Sequence, residues 1–266
     1  MLEYTRPGSI STQENVELIN TAGQSSVVLV CEHASNFVPV EFAGLGLDDD
    51  ALASHIAWDP GALAVAQTLS SLLDAPLVAT AVSRLIYDCN RPTQAPGAVP
   101  EKSEFYDIPG NQGLEPSERL TRSERFYQPF RTAVTEAIDG VQKAGRSPVV
   151  ITIHSFAPVY KGEKRNLDIG ILHGTDARLA DHMLAAIHGD GKLAARRNEP
   201  YGPADGVLFT LSEHAAPRRL LNAMIEIRND LVADTEAQQA MAAHLAGFIN
   251  QALADLEVDT ACEVSS

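Results

Sequence analysis

Cysteine is scarce in this chain: 266 residues contain three, Cys31, Cys89 and Cys262, an odd number whose separations match no zinc-ligand spacing. Two fall in apolar stretches and the third in a polar tail, so a disulfide framework is not expected and a reducing compartment is. Long hydrophobic runs are missing too. The apolar stretches fall well short of the ~20 residues a bilayer span requires. The opening segment MLEYTRPGSISTQENVE lacks both the basic and the apolar regions of an export signal. We therefore expect a soluble, cytoplasmic protein with no membrane partner. Positive charge is short as well: 20 Lys and Arg stand against 35 Asp and Glu, a net charge of −15. That balance argues against nucleic acid and anionic membrane, which demand a basic face. It does not argue against a small anionic substrate, because exposed charges are screened beyond ~8 Å at physiological salt and a local arginine cluster can dominate inside a cleft. The acid excess reads as a solubility feature.

What remains suffices for one large domain. At 45% hydrophobic residues the chain can bury a full core, and neither a linker nor an internal repeat divides it. Residues 1–24 read as an irregular arm, and 257–266 as a polar tail. Between them strands and amphipathic helices alternate. SSVVLVCEHASN gives a buried strand that breaks at His33, and WDPGALAVAQTLSSLLD a helix with Asp59 suited to its N-cap and Pro60 to its first position. APLVATAVSRLIYDCNRP reads as one or two strands and 93–115 as a long loop, while a helix over about 116–144 feeds the strand VVITIHSF. NLDIGILHG and NAMIEIRNDL are further strands, and helices start at DARLADHM and TEAQQAMA. This order predicts an α/β fold: a mostly parallel mixed sheet with helices on both faces.

Several polar groups stand where apolar strands end: His33, Arg84, Asn90 with Arg91, His154 with Ser155, and Glu226 with Arg228. Open α/β sheets keep their ligand crevices at that rim. Imidazole and carboxylate together bind zinc, and a nearby carboxylate can accept a proton from water, so the set points to metal-assisted hydrolysis. Each residue also has a plainer use. Asp59 also suits a helix cap, Glu226 has the same side-chain parity as Arg228 and so a possible ion-pair partner in it, and Ser155 also suits a strand cap. Arg84 and Asp88 would lie far apart if their segment were extended. His55, His182, His188, His214 and His244 read as surface or packing residues.

The segments CEHASNFVP, IAWDPGA, SRLIYDCNRP, TIHSF and IEIRNDL, in this order, resemble the N-formylglutamate amidohydrolase family, over about residues 27–231. The resemblance implies a phosphorylase/hydrolase-like fold related to the zinc carboxypeptidases. It also implies one divalent zinc per chain, held by His33 and His154, and Glu226 as the catalytic base. In DCNRP, Asn90 and Arg91 resemble a pair that grips a substrate carboxylate; Arg84 and Ser155 would assist, with Arg228 in reserve. The chain departs from the peptidase pattern at Asn36, which stands where a ligand Glu is expected. Asp59 is then the candidate third ligand, with Glu32, Asn36 and His173 as alternatives; Glu32 ranks low because strand parity points it away from His33. The implied reaction is hydrolysis of N-formyl-L-glutamate, or a similar small N-acyl amino acid, to formate and L-glutamate. Two rivals are an amide hydrolase acting on another acyl or peptidoglycan-like substrate and a catalytically silent carboxylate-binding protein.

Overall fold

The computed structural model describes residues 11–13 and 15–258. A hairpin of β1 (Ser11–Gln13) and β2 (Val16–Ile19) leads into β3 (Val27–Cys31), the single-turn α1 (Asp49–Ala53), α2 (Ala62–Leu73) and β4 (Leu77–Thr80). A small hairpin, β5 (Lys102–Ser103) and β6 (Tyr106–Asp107), precedes α3 (Pro116–Arg122), α4 (Gln128–Lys143) and β7 (Val149–Phe156). A second small hairpin, β8 (Val159–Tyr160) and β9 (Glu163–Lys164), is followed by β10 (Ile169–Leu172), α5 (Arg178–Asp190), β11 (Ala195–Arg197), β12 (Leu221–Arg228) and α6 (Thr235–Asp255).

Eight strands make one sheet in the order β1-β2-β4-β3-β7-β12-β10-β11. The central four, β4, β3, β7 and β12, run parallel. The β1-β2, β2-β4 and β12-β10 pairs are antiparallel, and β11 returns parallel to β10. β3 and β7 are buried along their whole length, which is why they show no polar alternation: both faces are covered. Leu29, Ile151 and Ile225 pack on one side with Leu69 of α2, Met183 of α5 and Leu245 of α6. Val28, Val150 and Met224 pack on the other with Phe130 and Val134 of α4. Among the described residues, no helix is long and apolar enough to cross a membrane.

Three expectations change. Part of the supposed arm joins the sheet, because the short segment Val16–Ile19 pairs with β4 and buries Val16 and Ile19. The extended reading of 77–92 ends at Thr80, and 81–92 is a buried irregular segment stitched by turns such as Ile86 N–H to Ser83 O. The loop 93–115 contains the β5-β6 hairpin. The expected helix over 116–144 is present as α3 and α4 joined by a wide π-type turn at Ser123–Tyr127. Cys31 and Cys89 are buried and free. Cys262, most of the tail and the first residues of the arm lie outside the described residues.

Candidate active site

The sheet order sets β3 beside β7 and β7 beside β12, so three C-terminal strand ends converge. His33 lies two residues beyond β3. His154 lies near the end of β7, and the parallel register sets Glu226 of β12 directly beside it. Asp59 comes from the turn before α2. Its backbone N–H donates to His33 O at 2.9 Å, which ties that turn to the end of β3. The helix itself starts at Ala62 with Gly61 at the N-cap and no side-chain cap, so Asp59 is not spent on capping.

Its carboxylate instead joins the two imidazoles. Asp59 Oδ2 is 2.8 Å from His154 Nδ1 and 3.3 Å from His33 Nδ1. Candidate donor atoms of His33, Asp59 and His154 all lie within 4.8 Å of one another, and all three residues are buried. The far ring nitrogens face carboxylates as well: His33 Nε2 is 2.8 Å from Asp88 Oδ1, and His154 Nε2 is 3.0 Å from Glu32 Oε2. The Glu32 contact is an ion-pair distance that falls outside hydrogen-bond geometry. Ser155 N–H donates to Asp59 Oδ2 at 3.3 Å and Ser155 Oγ to Pro60 O at 2.8 Å, so this serine orients the acid-bearing turn.

Burial and neighbours shift the ionisation of these groups in opposite directions. Burial works against the Asp59 carboxylate, yet His33 and His154 outweigh it and hold the pKa far below the usual range. Burial likewise works against charged His154, but Glu32 and Asp59 raise it well above an ordinary imidazole. Glu226 goes the other way. Burial, reinforced by the Asp59 charge, pushes it up to about 7, and among the described residues its Oε2 has no hydrogen-bond partner. A carboxyl poised near neutrality beside two imidazoles is the environment of a general base.

Two imidazoles and a carboxylate are a donor set of catalytic zinc sites. Both Nδ1 atoms face one shared oxygen while both Nε2 atoms face carboxylates, the arrangement in which outer carboxylates orient metal-ligating histidines. The residues present therefore fit a divalent metal.

A cleft of about 380 Å³ opens over this centre, lined among others by Arg84, Arg91, Tyr201 and Glu226. A larger groove of about 920 Å³, beside Arg178, Phe209 and Arg219, contains none of the three donors or Glu226 and is remote in character from the chemistry.

A model of the N-formylglutamate amidohydrolase family matches residues 25–233. The chain belongs to the N-formylglutamate amidohydrolase family. Among solved structures, the gene product Atu2144 from Agrobacterium tumefaciens is 53% identical over 92% of this chain and 97% of its own, with a TM-score of 0.90. The N-formylglutamate amidohydrolase from Ralstonia eutropha JMP134 is 18% identical over 95% of this chain and 99% of its own, with a TM-score of 0.58, a likeness of fold. No curated protein matches the chain. Membership of an amidohydrolase family gives the cleft a reaction class, hydrolysis of an amide of a small substrate.

Within that family frame the remaining expected residues separate. Arg84 is held by Asp88 at 2.9 Å and lies 3.7 Å from Asp59, because the turn at 83–86 folds the segment that reads as extended. The Asn90 side chain is consumed by backbone, donating to Val207 O and accepting from Thr210 N–H. Arg91 uses Nη1 on Asn90 O and Gly206 O, at 3.0 and 2.8 Å, and has no carboxylate at ion-pair distance among the described residues. Arg228 lies outside the cleft, paired with Asp168 at 2.9 Å and Asp230 at 2.7 Å, so it is neither a substrate cation nor the partner of Glu226. His173 bonds Arg197 and Gly174 O, and Asn36 donates to Leu52 O, which removes both as ligand alternatives. Sequence reasoning missed Asp88 and Tyr201. The signal for Asp88 was present, a lone acid inside SRLIYDCNRP; for Tyr201 there was none.

Proposed function

We propose that this amidohydrolase is metal-dependent and cleaves N-formyl-L-glutamate, or a closely similar small N-acyl amino acid, to the free acid and amino acid. The observation that supports the metal most directly is the convergence of His33 Nδ1 and His154 Nδ1 on Asp59 Oδ2. A divalent ion such as zinc, held by those three residues, would polarise the amide carbonyl and make water a better nucleophile near neutral pH.

The protein's own groups do the rest. Glu226, with its pKa near neutrality, takes a proton from the attacking water and returns it to the leaving amine nitrogen. Arg91, whose Nε and Nη2 are left without a carboxylate, offers an edge for a substrate carboxylate. Tyr201, pushed up to about 12 chiefly by burial and by Glu226, stays protonated and, while its oxygen accepts from Arg165 Nη1 at 3.0 Å, keeps an O–H to donate. Arg84 fixes Asp59 and Asp88 in place.

A panel of N-acyl amino acids assayed with zinc-loaded protein tests the reading. N-formylglutamate should be cleaved far faster than N-formylleucine. Equal rates would remove the formylglutamate assignment, and no turnover of any amide would remove the enzyme.

A further inference from the structure

Glu32 has a place in the fold that the proposed reaction does not use. Its side chain is fully buried, and among the described residues neither carboxylate oxygen has a partner in full hydrogen-bond geometry. Burying a carboxylate is unfavourable unless something compensates it. Among the described residues its ion-pair neighbour is His154 Nε2 at 3.0 Å, with the Thr210 hydroxyl beside it. It arrives there because β3 stops at Cys31, which releases Glu32 from strand alternation.

The two imidazoles are not equivalent in this respect. Asp88, which faces His33 Nε2, is also bound by Arg84 at 2.9 Å, so its charge is largely cancelled. Among the described residues no Lys or Arg lies at ion-pair distance from Glu32. A neutral imidazole that offers Nδ1 as a ligand must carry its proton on Nε2, and a carboxylate at Nε2 stabilises that tautomer and opposes the other. Charge points the same way. A dication held by two neutral imidazoles and Asp59 would keep one positive charge, and Glu32 is a buried carboxylate placed to balance it.

We propose that Glu32 is a positioning residue of the metal site, which acts through His154 Nε2 to aim Nδ1 at the metal and supplies the balancing negative charge. The proposal rests on the metal reading of His33, Asp59 and His154. Glu32→Gln is nearly isosteric and removes the charge. Zinc affinity, measured by competition with a chromophoric chelator, should fall by about 10- to 100-fold. The visible spectrum of the cobalt(II)-loaded variant should keep the band pattern of the cobalt(II)-loaded wild type, since no ligand is lost. Wild-type zinc affinity in the variant overturns the proposal, as does a cobalt spectrum changed as by loss of a donor, which would make Glu32 a direct ligand. Should the variant fail to fold, nitrogen-15 NMR of the zinc-loaded wild type decides. His154 metallated at Nδ1 with its proton on Nε2 supports the role, and the reverse overturns it. A wild type that binds no divalent metal overturns the metal reading and this one with it; a wild type that binds zinc as tightly as its variant overturns this one alone.

Discussion

Glu226→Gln should separate stability from activity in opposite directions. The carboxyl is buried in β12 and its pKa stands at about 7 against an ordinary 4.5. Because the folded value is the higher one, the ionised form penalises the fold. That cost is absent below pH 4.5, grows as pH rises from 4.5 to 7, and is complete above it. A displacement of about 2.5 units at ~1.36 kcal/mol each gives a penalty on the order of 3 kcal/mol at pH 8 in the metal-free protein. Glutamine carries no such penalty, so metal-free Glu226→Gln should be the more stable protein at pH 8 and should lose that advantage by pH 4.5. With metal added, the same variant should lose about 10² to 10⁴ in kcat, since its amide cannot accept the proton. Urea denaturation of chelator-treated protein at the two pH values, with steady-state kinetics of the loaded protein, measures both. A variant no more stable than wild type at pH 8 would refute the burial argument. One that keeps most of its activity would refute the role of base.

Elemental analysis of protein purified without chelator should find one divalent metal per chain, and His33→Ala and His154→Ala should each lose it; retention by both would displace the site. Arg91→Ala should reduce kcat/KM on N-formylglutamate by about 30-fold, the ~2 kcal/mol lower end for a charge pair at a half-buried arginine, and leave N-formylleucine nearly unchanged. Equal losses on both substrates would mean that Arg91 shapes the cleft without reading charge. Gly61 sits at φ +81 with Val232 O and Cγ2 only 2.6 Å from where a Cβ would stand. Gly61→Ala should therefore cost more than ~1 kcal/mol in denaturation and weaken metal binding by shifting the turn that carries Asp59. An alanine variant with wild-type stability would show that the turn can yield.

Much of this arrangement is legible in the sequence. His33, His154 and Glu226 stand out because each interrupts or ends an apolar, β-branched run, where a polar side chain needs a reason. The alternation of those runs with amphipathic helices likewise carried the parallel centre of the sheet. What stayed hidden depends on local geometry that periodicity does not encode. Strand parity sent Glu32 away from the site, but parity lapses once β3 ends at Cys31. An extended reading kept Arg84 and Asp88 apart, and a tight turn brings them to 2.9 Å. Asp59 looked like a helix cap because Asp before Pro is a good one, and only the start of α2 at Ala62 shows that the carboxylate is free for other work. The pairing of Glu226 with Arg228 followed from parity as well, yet Asp168 and Asp230 claim that arginine.

The side-by-side placement of His154 and Glu226 is fixed by pairing between β7 and β12 over eight residues, Leu221↔Val149 through Arg228↔Phe156. Side chains on a strand alternate between faces, so a one-residue deletion inside either strand would turn one of these groups into the opposite core. The same deletion would send that strand's flanking isoleucine, Ile153 or Ile225, to the cleft side. Lesions of the interior and lesions of the reaction are thus inseparable along these two strands. The family should tolerate change in length here far less than in the loops around the cleft, and an evolving member would vary its substrate through residues 93–115 while inheriting the β7-β12 register intact.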